Sequence, residues 1–505
     1  MKRARIVAAS VVGTFLILWG ASAPPWAAGA ETSAETDECL ECHLQLNPGM
    51  AGAWQKSRHA RTSPAEALEK PALQRRVSSE NIPESLAGSA VGCAECHTLN
   101  ADKHGDSFEH NGYTVHTVVT PEDCATCHSV EADQYKQNLM SHAHGNLVNN
   151  ALYQQLVDSV NGDYVFDESS GALTVEAHDA STDADSCLFC HGTVVEVKGV
   201  ETRDTDFGEL DFPVLSGWPN RGVGRVNPDG SKGSCGACHT RHRFSIEMAR
   251  KPHTCSECHK GPDVPSYKVY QASKHGNIYA STGKKEWDFQ AVPWVVGKDF
   301  TAPTCAVCHV SLVATEDGTV VSQRTHRMND RLPWRLFGLV YAHPHPESPD
   351  TSVIKTPSGL PLPTELDGTP AKEFVITAEE QGKRREAMQR ACLQCHGSSW
   401  VDGHWSRFER AIEASNQATL TASRMMLSIW NKGLASGVAQ KDNIFNESIE
   451  RKWADVWLIY ANHVRLSSAM CGADYGVFDR GRYYLTRTLQ EMKDWLDARG
   501  KAKAD

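Results

Sequence analysis

Sixteen of the 17 cysteines in this chain fall into eight copies of one five-residue pattern, Cys-x-x-Cys-His, and this repetition constrains the fold more than any other feature. The copies begin at Cys39, Cys93, Cys124, Cys187, Cys235, Cys255, Cys305 and Cys392, with second cysteines at Cys42, Cys96, Cys127, Cys190, Cys238, Cys258, Cys308 and Cys395. The histidines that close them are His43, His97, His128, His191, His239, His259, His309 and His396. Chance placement of 17 cysteines and 23 histidines over 505 residues would give about 0.03 copies. Two thiols three positions apart lie on one side of a helical turn, where each can add to a vinyl group of one porphyrin while the next residue offers an imidazole to the iron. A disulfide framework, a zinc ribbon or thioredoxin-like pairs would leave the trailing histidine unexplained. The pattern therefore predicts eight covalently attached c-type haems. They also answer a packing problem, because hydrophobic residues make up only 40% of the chain and three ordinary dry cores would be hard to build from them.

Lys2, Arg3 and Arg5 precede an apolar run from Ile6 to about Ala23, followed by small residues at Ala21 to Ala23 and Ala28 to Ala30. This reads as a secretory signal over residues 1–30, with an uncleaved anchor as the competing reading, and places the protein in the periplasm or an equivalent space. Without those residues the formal charge falls from −11 to −14, because three cations and no anions are lost. Nucleic acid, which requires a basic footprint, is excluded as a partner, and a small basic electron carrier is favoured.

The organisation changes near residue 370. All 23 prolines lie at or before Pro370, and proline breaks helix interiors, so the proline-free remainder predicts long helices. Trp453, Val456, Trp457, Tyr460 and Val464 recur with helical spacing, as do Leu485, Leu489, Met492 and Leu496. Breaks near Gly433 to Gly437 and Gly472 to Gly476 predict three helices in a bundle. The expected class is mainly α, with a domain over 31–370 of short helices and loops wrapped around haems 1–7, and a helical domain over 371–505 carrying haem 8. The motif starts at Cys235 and Cys255 are only 20 residues apart, so the fifth and sixth haems should be neighbours.

Fifteen histidines lie outside the motifs, enough either for eight bis-histidine haems or for seven and one open iron. Local context favours His59, His142, His144, His275, His326 and His404 as distal ligands, with His242 included and His253, His343 and His345 less well placed.

The eight motifs, the short fifth interval, the run from Arg241 to Arg250, the segment Cys-Ser-Glu-Cys-His-Lys-Gly-Pro-Asp from Cys255, Ser273-Lys-His-Gly276, and the segment Cys392 to Trp405 together resemble the octahaem hydroxylamine oxidoreductase family. The resemblance covers most of the mature chain. It implies seven bis-histidine haems that pass electrons and a fourth, on Cys187, Cys190 and His191, whose open face binds a nitrogen substrate. It further implies that Asp263 is the distal proton acceptor, although a turn residue between two prolines is the plainer reading of it. The family usually has histidine after this aspartate; here stands Val264, which cannot relay a proton. Oxidising members form trimers in which a tyrosine of the adjacent subunit is joined to the catalytic porphyrin. Tyr475, in a glycine-flanked break, is the first candidate for that tyrosine, and Tyr483 and Tyr484 read better as core. The leftover Cys471 reads as an inert thiol or as a group near the active site.

Two classes of function follow. One is an enzyme that oxidises hydroxylamine to nitric oxide or nitrite, or a reductive relative that converts nitrite or hydroxylamine to ammonia. The other is a plain electron carrier. The 109 residues after His396 carry no motif, which favours a shaped, oligomerising enzyme over a wire. The redox partner implied is a small basic cytochrome c or a membrane quinone-linked cytochrome, and the assembly implied is a homotrimer.

Overall fold

The computed structural model describes residues 29–502, so the expected signal segment lies outside it apart from its last two positions. No described helix is long and apolar enough to cross a membrane. The fold is mainly helical, as the motif pattern predicts.

Each motif folds as a turn of helix, because the cysteine side chains must emerge from one face. Cys93–His97, Cys187–His191 and Cys305–His309 are helices of five residues, while Cys39 to His43 sit inside Ala34–Leu46 and Cys392 closes Ala378–Cys392. Short helices such as these are marginal alone and depend on caps and tertiary contacts. Pro121–Ala125, which carries Cys124, begins with a capping box in which the Thr120 N–H donates to the Asp123 carboxylate at 2.8 Å. Between motifs the chain forms small antiparallel hairpins, Ser107–His110 with Tyr113–His116, Asp163–Asp167 with Ala172–Glu176, and Glu196–Thr205 with Gly208–Ser216. The second of these is exposed along both strands, with Phe166 and Leu173 at 61% and 62% exposure.

The dry core sits in the carboxyl-terminal helices. Ser398–Asn431 buries Val401, Trp405, Phe408, Ile412, Thr419, Ala422, Met426 and Ile429, a stripe at helical period. The stripe packs on Ser448–Ala454, a π-helical turn over Asp455–Tyr460, Ala461–Met470 and Arg482–Ala502. Trp453 and Trp457 fill the centre with their rings 5.6 Å apart, and the Trp453 indole N–H donates to Ser423 Oγ at 3.0 Å. Arg465 is wholly buried and held by neutral acceptors: Ser415, Asn416, Asn462 and the Leu336 carbonyl. It ties the helical bundle to the motif-bearing half.

Candidate functional site

Seven of the eight motifs open onto one connected cavity of about 2120 Å³; the first stands apart from it. Around this space the paired thiols are mostly half-buried, and apolar side chains such as Leu99, Leu139, Phe244 and Phe337 line the wall. Arg75 and Arg250 each keep a buried Nε–H without a hydrogen-bond partner, the kind of orphan donor that a porphyrin propionate satisfies. Thiol pairs, adjacent imidazoles, apolar walls and unpaired guanidinium donors all fit haem.

The imidazoles report the same arrangement independently. An iron with a histidine nitrogen about 2 Å away on either face would separate the two ring centres by roughly 6 Å. Five motif histidines face another histidine at such a distance: His43 and His110 at 6.2 Å, His97 and His242 at 6.5 Å, His128 and His59 at 6.2 Å, His239 and His326 at 6.4 Å, and His396 and His275 at 6.2 Å. His116 also lies near His97, but the His97 Nδ1–H donates to the His116 carbonyl at 2.8 Å, which puts His116 behind the ring. Similar carbonyl contacts from His191 to Ala143 and from His309 to Met328 fix the proton on Nδ1 and leave Nε2 for the metal. Desolvation pulls His59, His242 and His326 down to about 4, so their lone pairs are free to ligate at neutral pH.

The structure thus brings His59, His242, His275 and His326 opposite motif histidines. Sequence reasoning missed His110, which sits at the end of a hairpin strand where no spacing signal marks it. His142 turns its Nε2 to the Lys136 carbonyl, whereas His144 meets the Gly192 carbonyl through Nδ1, which leaves its Nε2 available, and lies within electrostatic reach of His191. His404 lies beyond Trp400, whose ring stacks on His396 at 4.1 Å and on His404 at 5.3 Å, and Cys471 Sγ is 3.7 Å from His404 Nδ1. Among the described residues, no histidine ring faces His191, His259 or His309 in this way. His343 and His345 are buried near Arg335, and His253 packs against Tyr267.

The thiols, which stand in for thioethers of the loaded protein, reveal which attachment sites adjoin. Cys39 is within electrostatic reach of Cys93, and Cys96 of Cys127. The free thiol of Cys124 lies within side-chain reach of Cys235, Cys238 within electrostatic reach of Cys255, the free thiol of Cys255 within side-chain reach of Cys305, and Cys308 within electrostatic reach of Cys392. These contacts form a line from the first motif through the second, third, fifth, sixth and seventh to the eighth. The expected adjacency of the fifth and sixth is part of it. The fourth motif stands off the line, joined to it where Cys190 meets Cys258 of the sixth.

Asp263 lines the cavity and is within electrostatic reach of Cys187, Cys190 and His191. Its turn is built on Gly261, at φ +83°, where an added Cβ would press on Pro265 at 3.0 Å. Val264 lines the same space. Tyr475 does not line it; its ring lies 5.8 Å from His463 and its hydroxyl bonds Asp479, which raises its pKa together with the larger effect of burial. Tyr483 is exposed and Tyr484 stacks on Tyr460.

One further cluster, His104, His116 and Asp123, has the composition of a metal site. The two rings are parallel at 3.6 Å, so their in-plane lone pairs run side by side and do not converge on one ion. His104 is instead bracketed by Asp106 and Asp123 at 3.3 and 3.2 Å, a buried hydrogen-bonded network.

Comparison with known proteins agrees with this geometry. Residues 209–331 match the family model described as seven times multi-haem cytochrome CxxCH, and residues 38–119 match that for cytochrome c554 and c-prime. A solved structure titled hypothetical multiheme protein is 38% identical, with a TM-score of 0.89, over 96% of this chain and 100% of that one. A probable nitrite reductase-hydroxylamine oxidoreductase fusion protein of Kuenenia stuttgartiensis is 25% identical over 403 residues. That match takes in 74% of this chain but only 37% of the relative's length. A reducing HAO-like protein complex of the same organism shares the fold, with a TM-score of 0.59 at 17% identity, over 93% of this chain and 86% of that one.

Proposed function

Because this chain belongs to the multihaem c-type cytochromes, electron-transfer proteins with covalently bound haem, we propose that it carries eight haems and is an oxidoreductase of small inorganic nitrogen compounds, oxidising hydroxylamine at the fourth. The observation that carries this reading is the position of the fourth motif. It is a spur on an otherwise linear series, and its two cysteines and its histidine all sense one carboxylate, Asp263. A conduit needs no spur, whereas a catalytic centre needs one entrance for substrate and one neighbour to take electrons. A haem iron with a free position supplies Lewis acidity and an electron sink. This chain's own residues do the rest. His191, anchored through Nδ1 to the Ala143 carbonyl at 3.1 Å, presents Nε2 to the metal. The Asp263 carboxylate takes up the protons released from the substrate nitrogen, and Val264 and Phe337 keep that space apolar.

The reductive direction, nitrite or hydroxylamine to ammonia, uses the same residues with Asp263 delivering protons, and the names of the Kuenenia relatives keep it as the second reading. Export to the periplasm accords with the charged and apolar amino terminus. The acidic surface favours a basic cytochrome, or a membrane quinone-linked one with a basic docking face. The exposed apolar hairpin at Asp163–Asp167 and Ala172–Glu176 supports self-association, and with it a homotrimer in which Tyr475 reaches a neighbour's fourth haem and bonds to it. The test is EPR and stopped-flow absorbance on the loaded protein. A high-spin ferric signal that hydroxylamine perturbs, followed by reduction of the low-spin haems, is the expected result. Absence of any high-spin haem rules out the enzyme. A haem peptide of Cys187 and Cys190 carrying the Tyr475 peptide supports the oxidative direction; an unmodified one in active protein supports the reductive direction.

A further inference from the structure

His463 is 2% exposed and occupies an unusual place. Its Nε2 lies 2.7 Å from the Pro262 carbonyl and its Nδ1 lies 3.0 Å from the Asp479 carbonyl. Carbonyl oxygens only accept, so a neutral imidazole, with one N–H, satisfies one contact and turns a lone pair on the other; the imidazolium donates to both. The two carbonyls belong to the two segments that hold the candidate catalytic side chains. Pro262 precedes Asp263, and the Asp479 carboxylate bonds the Tyr475 hydroxyl while the Tyr475 ring packs on His463 itself. The neighbouring residue on the helix, Asn462, reinforces the first link by donating from Nδ2 to the Asp263 carbonyl at 3.2 Å. Val264 supplies no side-chain polar atom, so nothing at that position competes for the role.

We propose that His463 is a positioning residue, a clasp that fixes the Asp263 turn relative to the Tyr475–Asp479 loop. The role rests on the reading of Asp263 as the group that exchanges protons with substrate. Its grip tightens when the ring is protonated, because only then are both carbonyls bonded. The charged and titratable groups around it are Asp479, Arg480 and Tyr475 on the loop side and Asp263 on the turn side. Burial lowers the pKa of His463, while the two carbonyl contacts and Asp479 raise it again.

The experiment compares fully loaded wild type, His463→Ala and His463→Gln by hydrogen exchange and by hydroxylamine-dependent haem reduction across pH. In His463→Ala, amides of 261–265 and 478–481 are expected to exchange about ten-fold faster or more. The same variant should lose about ten-fold in kcat with KM little changed, and the limb on which wild-type activity falls as pH rises through the His463 titration should disappear from its pH profile. His463→Gln, which keeps a donor, should restore protection to one of the two segments. Unchanged exchange in both segments overturns the clasp, and changed exchange with an unchanged pH profile and kcat overturns its positioning role. A wild type inert to hydroxylamine and nitrite defeats the proposed function instead, and the exchange result then decides the clasp on its own.

Discussion

At the scale of single residues, Glu450 shows how burial, aided by the nearby carboxylates of Glu447 and Asp442, sets a pH response. It is wholly buried between the Trp430 indole N–H at 2.9 Å and the Glu447 N–H at 3.0 Å. Desolvation pushes its pKa up to about 7, overcoming the two donors that favour the anion. A folded-state value above the ordinary one means that its contribution is full below about pH 4.5 and is lost as pH rises through about 7. Between pH 5 and 8, therefore, the wild type should lose about 1–3 kcal/mol of unfolding free energy that Glu450→Gln retains. Denaturant titrations of the two proteins at both pH values measure it, and parallel pH slopes would refute it. His110 offers a second residue-level test. His110→Ala should turn one low-spin haem high-spin, read by EPR integration, without affecting the kinetics of hydroxylamine oxidation at the fourth site, read by stopped-flow absorbance. Neither residue stood out in the sequence: Glu450 is an ordinary helix glutamate, and His110 is one of fifteen unassigned histidines.

Elements explain why the two halves of the chain read so differently. Helical period was legible in Trp453, Val456 and Trp457, since an amphipathic stripe must bury one face wherever it packs, and all three are buried. What the stripe packs against was not legible. The Ser448–Met470 stretch turns through a π-helical segment, and Trp457 meets Phe445 and Trp453 from a loop and a neighbouring turn. Trp457→Ala should cost about 3–5 kcal/mol, seen as a fall in the denaturation midpoint with haem absorbance unchanged. In the motif-bearing half the local signal is the opposite kind. Each Cys-x-x-Cys-His forces one helical turn, but five residues carry no periodicity, so the connecting hairpins and loops were invisible until folded.

For the whole molecule, the order of the attachment sites is the property that matters. Seven sites in line and the fourth attached at the sixth predict two different lesions. Cys187→Ser with Cys190→Ser should abolish reaction with hydroxylamine while the remaining haems stay reducible by a chemical reductant. Cys305→Ser with Cys308→Ser should leave reaction at the fourth site but block delivery of electrons to the eighth, distinguishable by the haem-resolved EPR of a partly reduced sample. If both pairs of variants behave alike, the line-and-spur order is wrong. Electron transfer falls steeply with distance, so it follows spatial adjacency, which sequence order does not encode here: Cys124 adjoins Cys235 across more than a hundred residues.

By itself the sequence determined the cofactor chemistry, because attachment needs only two thiols and an imidazole within five consecutive residues, and it determined that the stretch after Pro370 would be helical, because helix period and freedom from proline are local properties. Tertiary structure alone decided which histidine faces which motif, that the fourth site hangs from the sixth, and that His463 links Asp263 to Tyr475. Those relations join residues from 16 to about 200 positions apart, and only packing brings them together.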